Sequence, residues 1–480
     1  MTPIPLQTPN PGNLDPRFGV AEGFRNPTTM ADLGAGWERV VLSWADIQPD
    51  GPDDFSWLGR TLPPGALAGE LNRGVRLAGM LQFTATWAAT NLDDPGRSVP
   101  KNLDLPDDDP RNYWGRFVYE TVLYYTGRID EWIVWNEPEF RPTDAAGTGS
   151  YTWLGSDRDF ARLMEVAYRA AKRANPHAIV AFPGTSYWVD QNSGRPQFYE
   201  RFLQLIVTQP DAAKSHFFHD AVPLNLYRAP DDLVRVHAFF TSIQQRYGVT
   251  DTPLWLLELN AMPTDDASIA CAEVHARNPI QTTQVEQAAY AVQALALAAA
   301  SEYARIGFYQ MVDANPCRQS AVWGLVRDDG TRRPVADALR TAIQSFAHYR
   351  KATFVPLVRA PARWAAWPDD PGSLIPSWRV YEVTFDLPQD RRVTVLWNGD
   401  GTPLRVRVPR HSASAQMMDI YDQRLSDPQR LGQDWAIDLP PATAHFAGDP
   451  AGYYFIGGEP RLLVENGVDM SIPVVAPRLV

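Results

Sequence analysis

Short apolar stretches alternate with amphipathic stretches from Phe18 to Ser345 of this chain. The short runs are rich in β-branched and aromatic side chains and are bounded by turn-forming residues, which is typical of buried strands. The first run begins at Phe18, and the others lie at 37–44, 74–83, 132–136, 178–183, 221–227, 253–260 and 305–312. Apolar residues at helical spacing lie between most of these runs, at 112–125, 157–174, 198–207, 233–247, 285–300 and 335–345.

This order of strands and helices predicts an α/β fold with a parallel sheet. Eight strands favour a (β/α)8 TIM barrel, in which the active site lies at the carboxyl ends of the strands. An open doubly wound sheet is disfavoured. Its glycine-rich fingerprint should follow a strand, whereas the nearest candidate, Gly34-Ala35-Gly36, precedes one.

A different pattern begins after His348. Short apolar or alternating runs, separated by Gly, Pro and Asp, are typical of antiparallel strands, and they lie at 378–385, 392–397, 404–408, 416–421 and 453–456. We therefore expect an N-terminal arm over residues 1–16, the barrel over 17–347 and an all-β sandwich over 348–480. The sandwich could be a binding module or could buttress the barrel.

Composition and charge narrow the choice of partners. A net charge of -12 without any basic stripe argues against binding to nucleic acid. No apolar run approaches the roughly 20 residues of a membrane helix, and the first residues lack the basic and apolar regions of an export signal. We expect a soluble protein that binds neither nucleic acid nor membrane, and its oligomeric state stays open. The 16 tryptophans, 18 tyrosines and 20 phenylalanines include rings that could stack on sugars.

Two of the predicted strands end in a carboxylate, at Glu137 and at Glu258. A carboxyl group at the end of a buried strand is partly desolvated, and this raises its pKa towards the range in which it can donate a proton. Taken singly, each glutamate could instead pair with an arginine at the barrel rim. On strands four and seven of one barrel, the two would face each other about 5 Å apart, as in a retaining glycosidase.

The segment Trp135-Asn136-Glu137-Pro138, with a second glutamate at the end of a later strand, resembles the signature of clan A glycoside hydrolases. Within the clan, the stretches 308–313 and 323–330 are most similar to family 39. The resemblance covers roughly residues 15–346. It implies that Glu137 is the acid/base and Glu258 the nucleophile.

The same resemblance implies roles for three neighbours. Asn136 would bind the sugar 2-hydroxyl, a contact that strengthens as positive charge develops on the ring. Arg39 would hold the nucleophile as a carboxylate, and Tyr227 would donate a hydrogen bond to the nucleophile. An ordinary ion pair at the rim for Arg39 and a core ring for Tyr227 stay open as alternatives.

The chain also departs from the clan. Many members carry a tryptophan at the end of strand eight that forms the floor of the sugar subsite, and residues 309–313 contain none. Trp323 or Trp87 could take this place from a loop. Family 39 more often has a histidine where this chain has Asn225, which makes Asn225 a weaker candidate for substrate binding. We interpret Glu139 as a loop carboxylate that does not share the proton of the acid/base.

No metal site is predicted, because His216 and His219 would point in different directions at the bottom of the barrel. Cys271 follows strand seven and Cys317 follows strand eight, so both would lie on the catalytic face. A disulfide between them and two free thiols both stay open. A disulfide would favour a secreted or extracytoplasmic location, and the location is otherwise undetermined.

These observations predict a retaining glycosidase that hydrolyses O-glycosidic bonds of plant-type or microbial oligo- or polysaccharides by double displacement, without a cofactor. β-Xylosides, β-glucosides, β-galactosides and α-L-arabinofuranosides all stay open as substrates, as does exo or endo action. The competing class is a catalytically inactive sugar-binding or scaffolding barrel. A metal-dependent barrel hydrolase is a further rival.

Overall fold

The computed structural model describes residues 14–57, 62–144, 151–269, 282–313, 322–358, 378–444 and 454–480. The chain divides into two compact units. The first unit consists of Met1–Pro27, Gly36–Leu226 and Val236–Glu258, and the second of Thr28–Ala35, Tyr227–Arg235 and Leu259–Val480. The boundaries predicted above follow a different criterion, the change in strand pattern, and stay predictions.

The predicted TIM barrel is confirmed. Its strands within the described residues are β1 (Asp15–Ala21), β2 (Ala35–Ser43), β3 (Arg76–Gln82), β4 (Glu131–Val134), β5 (Ile179–Ala181), β6 (Thr185–Ser186), β7 (Val222–Leu226), β8 (Leu254–Leu259) and β9 (Arg305–Phe308). They form one sheet in the order β5-β4-β3-β2-β1-β9-β8-β7-β6.

The strands β5 and β6 occupy a single position in this barrel. A parallel bridge joins Ala181, at the end of β5, to Ala221, which precedes β7. A second parallel bridge joins Gly184, just before β6, to Asn136, just after β4. The two ends of the sheet are therefore linked to each other. With β5 and β6 counted together, the barrel has the eight strand positions that the sequence predicted.

Helices surround this sheet. Those of the described residues are α1 (Pro27–Leu33), α2 (Trp44–Ile47), α3 (Pro64–Asn72), α4 (Tyr113–Tyr125), α5 (Asp157–Ala174), α6 (Tyr187–Asn192), α7 (Phe198–Ile206), α8 (Asp231–Tyr247), α9 (Gln284–Ala300) and α10 (Pro334–Phe346). The six predicted helices agree with α4, α5 and α7 to α10 within two residues at each end. The other four have nine residues or fewer, too few to establish a helical period.

Local capping explains where the longest helices begin. The Ser156 side chain accepts a hydrogen bond from the main-chain N–H of Asp159, whose carboxylate accepts from the N–H of Ser156. This capping box makes Ser156 the N-cap, so α5 begins at Asp157. Thr283 and Glu286 form the same arrangement at the start of α9.

The predicted all-β sandwich is confirmed as well. Its strands are β10 (Lys351–Phe354), β11 (Leu357–Val358), β12 (Trp378–Leu387), β13 (Arg391–Asn398), β14 (Leu404–Pro409), β15 (Ala415–Met418), β16 (Gln429–Leu431), β17 (Asp434–Leu439), β18 (Arg461–Asn466) and β19 (Arg478–Leu479). One sheet runs β10-β12-β13-β18-β15, with β11 beside β12, and the other runs β16-β17-β14-β19.

The apolar core of the sandwich joins the two sheets. Leu396 and Leu463 from the larger sheet pack in one cluster with Val406 and Trp435 from the smaller sheet. The expected strand at 453–456 is wrong over the described residues 454–456, where only Ile456 forms an isolated bridge. No strand was predicted for the segments that form β10, β11, β16, β17, β18 and β19.

The sandwich is fastened to barrel helices of the same unit. The Gln293 side chain on α9 donates to the main-chain oxygens of Gly457 and Gly458 and accepts from the N–H of Gly457. Phe346 of α10 stacks on Phe385 of β12, with 4.2 Å between ring centroids. These contacts attach the sandwich to two helices of the same unit, and its role as a binding module or a buttress stays open.

Candidate active site

The backbone is unusual where β3 and β4 end. Phe83, Trp135 and Glu137 all have positive φ values, of 66°, 70° and 48°. Residues other than glycine seldom adopt this left-handed conformation, and it persists only where the surroundings hold it in place. Here the hydroxyl of Thr152 donates to the main-chain oxygens of both Asn136 and Glu137, at 2.5 and 3.0 Å. The strained segment is the one that carries the predicted acid/base.

Asn225, at the end of β7, holds the Glu137 side chain. Its Nδ2 donates to Oε1 of Glu137 at 2.9 Å and to Oδ1 of Asn136 at 3.3 Å. The approach needs a glycine at position 184, because a Cβ there would lie 2.7 Å from Asn225 Oδ1 and 3.0 Å from Asn136 Oδ1. The structure thus brings together three predicted site residues. It also places Asn225 against Glu137, a contact that the sequence did not predict.

Glu258, at the end of β8, forms a buried ion pair with Arg39 of β2. Arg39 Nη1 lies 2.6 Å from Glu258 Oε1, and the two residues are 3% and 5% exposed. A charged hydrogen bond of this length is strong because little water competes for either group. Arg39 places a positive charge beside the Glu258 carboxyl group, and such a charge suits a carboxylate nucleophile.

Glu137 has the opposite electrostatic environment. Burial raises the pKa of its carboxyl group to about 7, and the negative charge of Glu258 contributes in the same direction. The hydrogen bond from Asn225 and the positive charge of Arg39 oppose this shift of the pKa. Below pH 7, Glu137 therefore carries a proton that it can donate. One protonated carboxyl group near a second, ionised one is the arrangement that a retaining glycosidase uses, with the first as acid and the second as nucleophile.

A third glutamate, Glu139, lies in the same segment and is completely buried. Its Oε1 accepts a hydrogen bond of 2.6 Å from the main-chain N–H of Ser186. Burial, and after it the charge of Glu137, raises the pKa of the Glu139 carboxyl well above its usual value. The sequence interpretation as a loop carboxylate did not anticipate this burial.

Tyr227 and Trp323 lie together in the second unit. Their ring centroids are 4.9 Å apart, and the Tyr227 ring also meets Tyr309 edge to face. Asn260 holds the backbone beside them, since its Nδ2 donates to the carbonyl oxygens of Tyr309 and Trp323. The predicted contacts of Tyr227 with the nucleophile and of Trp323 with the sugar stay predictions.

Trp87 occupies an aromatic cluster of the first unit. Its ring meets Trp44 and Tyr113 edge to face, and its indole N–H donates to the carbonyl oxygen of Gln48. The indole nitrogen is therefore already used within the protein. A role for the Trp87 ring as the floor of a sugar subsite stays a prediction.

Cys271 and Cys317 lie outside the described residues, so the question of their disulfide stays open. Among the residues that are described, no three His, Cys, Asp or Glu side chains are grouped so that they could hold a metal ion. His219 is buried and bonds to the Tyr199 hydroxyl at 2.9 Å. No described helix is both long and apolar enough to cross a membrane.

No family model and no curated protein matches the sequence. Solved structures do match the fold. A family 39 glycoside hydrolase from the gut symbiont Bacteroides cellulosilyticus WH2 has 14% sequence identity and a TM-score of 0.65, over 94% of this chain and 81% of its own. A family 39 β-xylosidase from Caulobacter crescentus has 16% identity and a TM-score of 0.54, over 96% and 97%.

A glucosidase from Croceicoccus marinus also matches, with 14% identity and a TM-score of 0.57, over 95% of this chain and 97% of its own. These matches span both the barrel and the sandwich. At such low identities they show a shared fold. The resemblance to family 39 that the sequence predicted is thus confirmed at the level of the fold.

Proposed function

We propose that this chain is a retaining glycoside hydrolase in which Glu258 is the nucleophile and Glu137 the acid/base. The proposal rests on one observation: two carboxyl groups of the same barrel have different electrostatic environments. Glu258 is ion-paired with Arg39, whereas the pKa of Glu137 is raised to about 7. Sugar binding alone does not require one carboxyl group with a raised pKa beside a second that is ion-paired with an arginine.

In the first step, the Glu258 carboxylate attacks the anomeric carbon, and the bond to the leaving oxygen breaks as that oxygen takes the proton of Glu137. In the second step, Glu137 accepts a proton from a water molecule, which attacks the same carbon and releases Glu258. Two inversions leave the configuration of the sugar unchanged. In this mechanism Asn136 binds the 2-hydroxyl, and no cofactor takes part.

The matched structures include a β-xylosidase and a glucosidase. We infer that β-xylosides and β-glucosides are the first substrates to test for this chain, followed by β-galactosides and α-L-arabinofuranosides. Arg39, Tyr227 and the tryptophans Trp87 and Trp323 are proposed to shape the sugar subsite. The carbohydrate is the proposed partner of the site.

A panel of nitrophenyl glycosides, with proton NMR of the first-formed anomer, tests this function. We expect hydrolysis with retention for at least one β-glycoside and loss of that activity in Glu137→Ala and Glu258→Ala. An inverted first product would contradict the assignment of the two carboxylates. Sugar binding without hydrolysis by the wild-type protein would favour the inactive barrel, and loss of activity on chelation would favour a metal-dependent hydrolase.

A further inference from the structure

Glu139 has a side chain that the proposed mechanism does not use. The residue is completely buried, and one of its carboxyl oxygens accepts the main-chain N–H of Ser186. Its other oxygen, Oε2, is buried without a hydrogen-bond partner among the described residues. A buried carboxyl group in this situation is costly unless it makes a compensating contact.

The compensating contact lies in the pairing of two chain segments. The main-chain N–H of Glu137 donates to the carbonyl oxygen of Gly184 at 2.8 Å, which aligns residues 137–139 with residues 184–186. Pro138 follows and has no N–H to donate. Two residues along each segment, the Glu139 side chain supplies the acceptor for the N–H of Ser186. Hydrogen bonds therefore join residues 137–139 to residues 184–186 on both sides of Pro138.

The charges around Glu139 favour its neutral form. The acidic groups that face it are Glu137 and Asp190, and both raise its pKa. Asp190 is itself paired with Arg195 and Arg201. The hydrogen bond of Arg195 to Glu139 goes to the main-chain oxygen rather than to the carboxyl group. A neutral Glu139 can hold Ser186 without adding a second negative charge beside Glu137.

We propose that Glu139 is a positioning residue, an uncharged carboxylic acid that anchors residues 137–139 to residues 184–186 and thereby aims the Glu137 carboxyl group at the leaving oxygen. The inference rests on the proposed function, because it assigns to Glu139 an effect on proton donation. It predicts that the shape and hydrogen bonding of the side chain matter, and that its charge does not.

Substrates with different leaving groups test this role. Loss of proton donation slows the cleavage of a poor leaving group, such as phenol, much more than that of dinitrophenol, which leaves without a proton. We expect Glu139→Ala to lower kcat/KM for the phenyl glycoside by roughly 30-fold, within the range that a positioned acid supplies, and that for the dinitrophenyl glycoside by less than about threefold. Glu139→Gln, which keeps the acceptor, should restore both values.

Two further variants control for the general effect of removing a buried carboxyl group and for a failure of Glu139→Ala to fold. Glu70 on α3 is also a buried carboxyl group with one oxygen lacking a partner among the described residues, so Glu70→Ala is the control and should not change the ratio of the two substrates. If Glu139→Ala does not fold, Glu139→Asp, which is too short to reach Ser186, replaces it and should behave as alanine would. Equal losses on both substrates, or a glutamine variant no better than alanine, would overturn the inference.

Failure of the proposed function would look different, because the wild-type protein would then cleave none of the glycosides. The inference is in that case decided by carbon-13 NMR titration of the Glu137 carboxyl. Glu139→Gln should leave the pKa of Glu137 unchanged, whereas Glu139→Ala should shift it. A shift in the glutamine variant would show that Glu139 carries a charge, which contradicts the proposal.

Discussion

Asn225 Nδ2 donates a hydrogen bond of 2.9 Å to Oε1 of Glu137. The bond favours the ionised form of Glu137 and so lowers its pKa, against the larger effect of burial. We expect Asn225→Ala to raise the pKa of Glu137 and to move the alkaline limb of kcat/KM upward by about one pH unit. Asn398→Ala, which removes a buried asparagine from the sandwich, should leave the limb in place.

The pH profile of the wild-type protein follows from the same glutamate. In the proposed mechanism Glu137 must be protonated to assist the leaving group, and burial raises its pKa to about 7, so kcat/KM should fall as the pH rises through 7. Glu137→Gln should lose this alkaline limb together with most of the activity on phenyl glycosides. A limb that persists unchanged in the glutamine variant would assign the titrating acid to another residue.

Azide separates the roles of the two glutamates. In Glu258→Ala, a small anion can replace the missing nucleophile, so we expect a glycosyl azide of inverted configuration from an activated substrate. In Glu137→Ala, azide should instead attack the glycosyl-enzyme and give a product of retained configuration. Without azide, both variants should lose at least about a hundredfold in turnover of phenyl glycosides, measured by release of phenol. If Glu258→Ala gave the retained glycosyl azide and Glu137→Ala the inverted one, the roles of the two glutamates would be reversed.

Arg39 and Glu258 should stabilise the fold only when both are present, so removal of one should cost more than removal of both. Arg39→Met leaves a buried carboxylate without this partner, and we expect the free energy of unfolding to fall by about 3–5 kcal/mol. The double variant Arg39→Met with Glu258→Gln should recover much of this loss in urea denaturation. Arg116→Ala breaks a pair in which Asp53 is 85% exposed, and it should cost less than about 1 kcal/mol.

Glu382 of β12 should make the stability of the sandwich depend on pH. Burial raises the pKa of its carboxyl group to about 8, and Glu465 adds to the effect, while Thr384 and Arg392 oppose it. Between about pH 4.5 and 8 the native state binds a proton that the unfolded state lacks, so stability should fall as pH rises, by up to about 1.4 kcal/mol per unit.

Urea denaturation at several pH values measures this slope. We expect Glu382→Gln to flatten the slope and to be more stable than the wild-type protein near pH 8. Asp438→Asn, which neutralises an exposed carboxylate of the same domain, should leave the slope unchanged. A wild-type stability that rises between pH 5 and 8 would contradict the burial of a protonated Glu382.

Local pattern was sufficient to predict the barrel and the candidate glutamates. The periodicity of strands and helices depends only on residues that are close in the sequence. The parallel strands of a barrel all have their carboxyl ends on one face. Glu137 and Glu258 could therefore be proposed as a pair although 121 residues separate them. The short helices and the strands β10, β11 and β16 to β19 were missed, because most of these segments are too short to establish a period.

The tertiary structure alone decided which side chains hold those glutamates. Asn225 lies 88 residues from Glu137 in the sequence, and their hydrogen bond depends on the absence of a side chain at Gly184. The burial of Glu139 likewise depends on the pairing of its segment with residues 184–186. The sequence by itself determined the strands and the residue types at their ends. Burial and charge interactions between distant segments, which no local pattern encodes, raise the pKa values of Glu137 and Glu139.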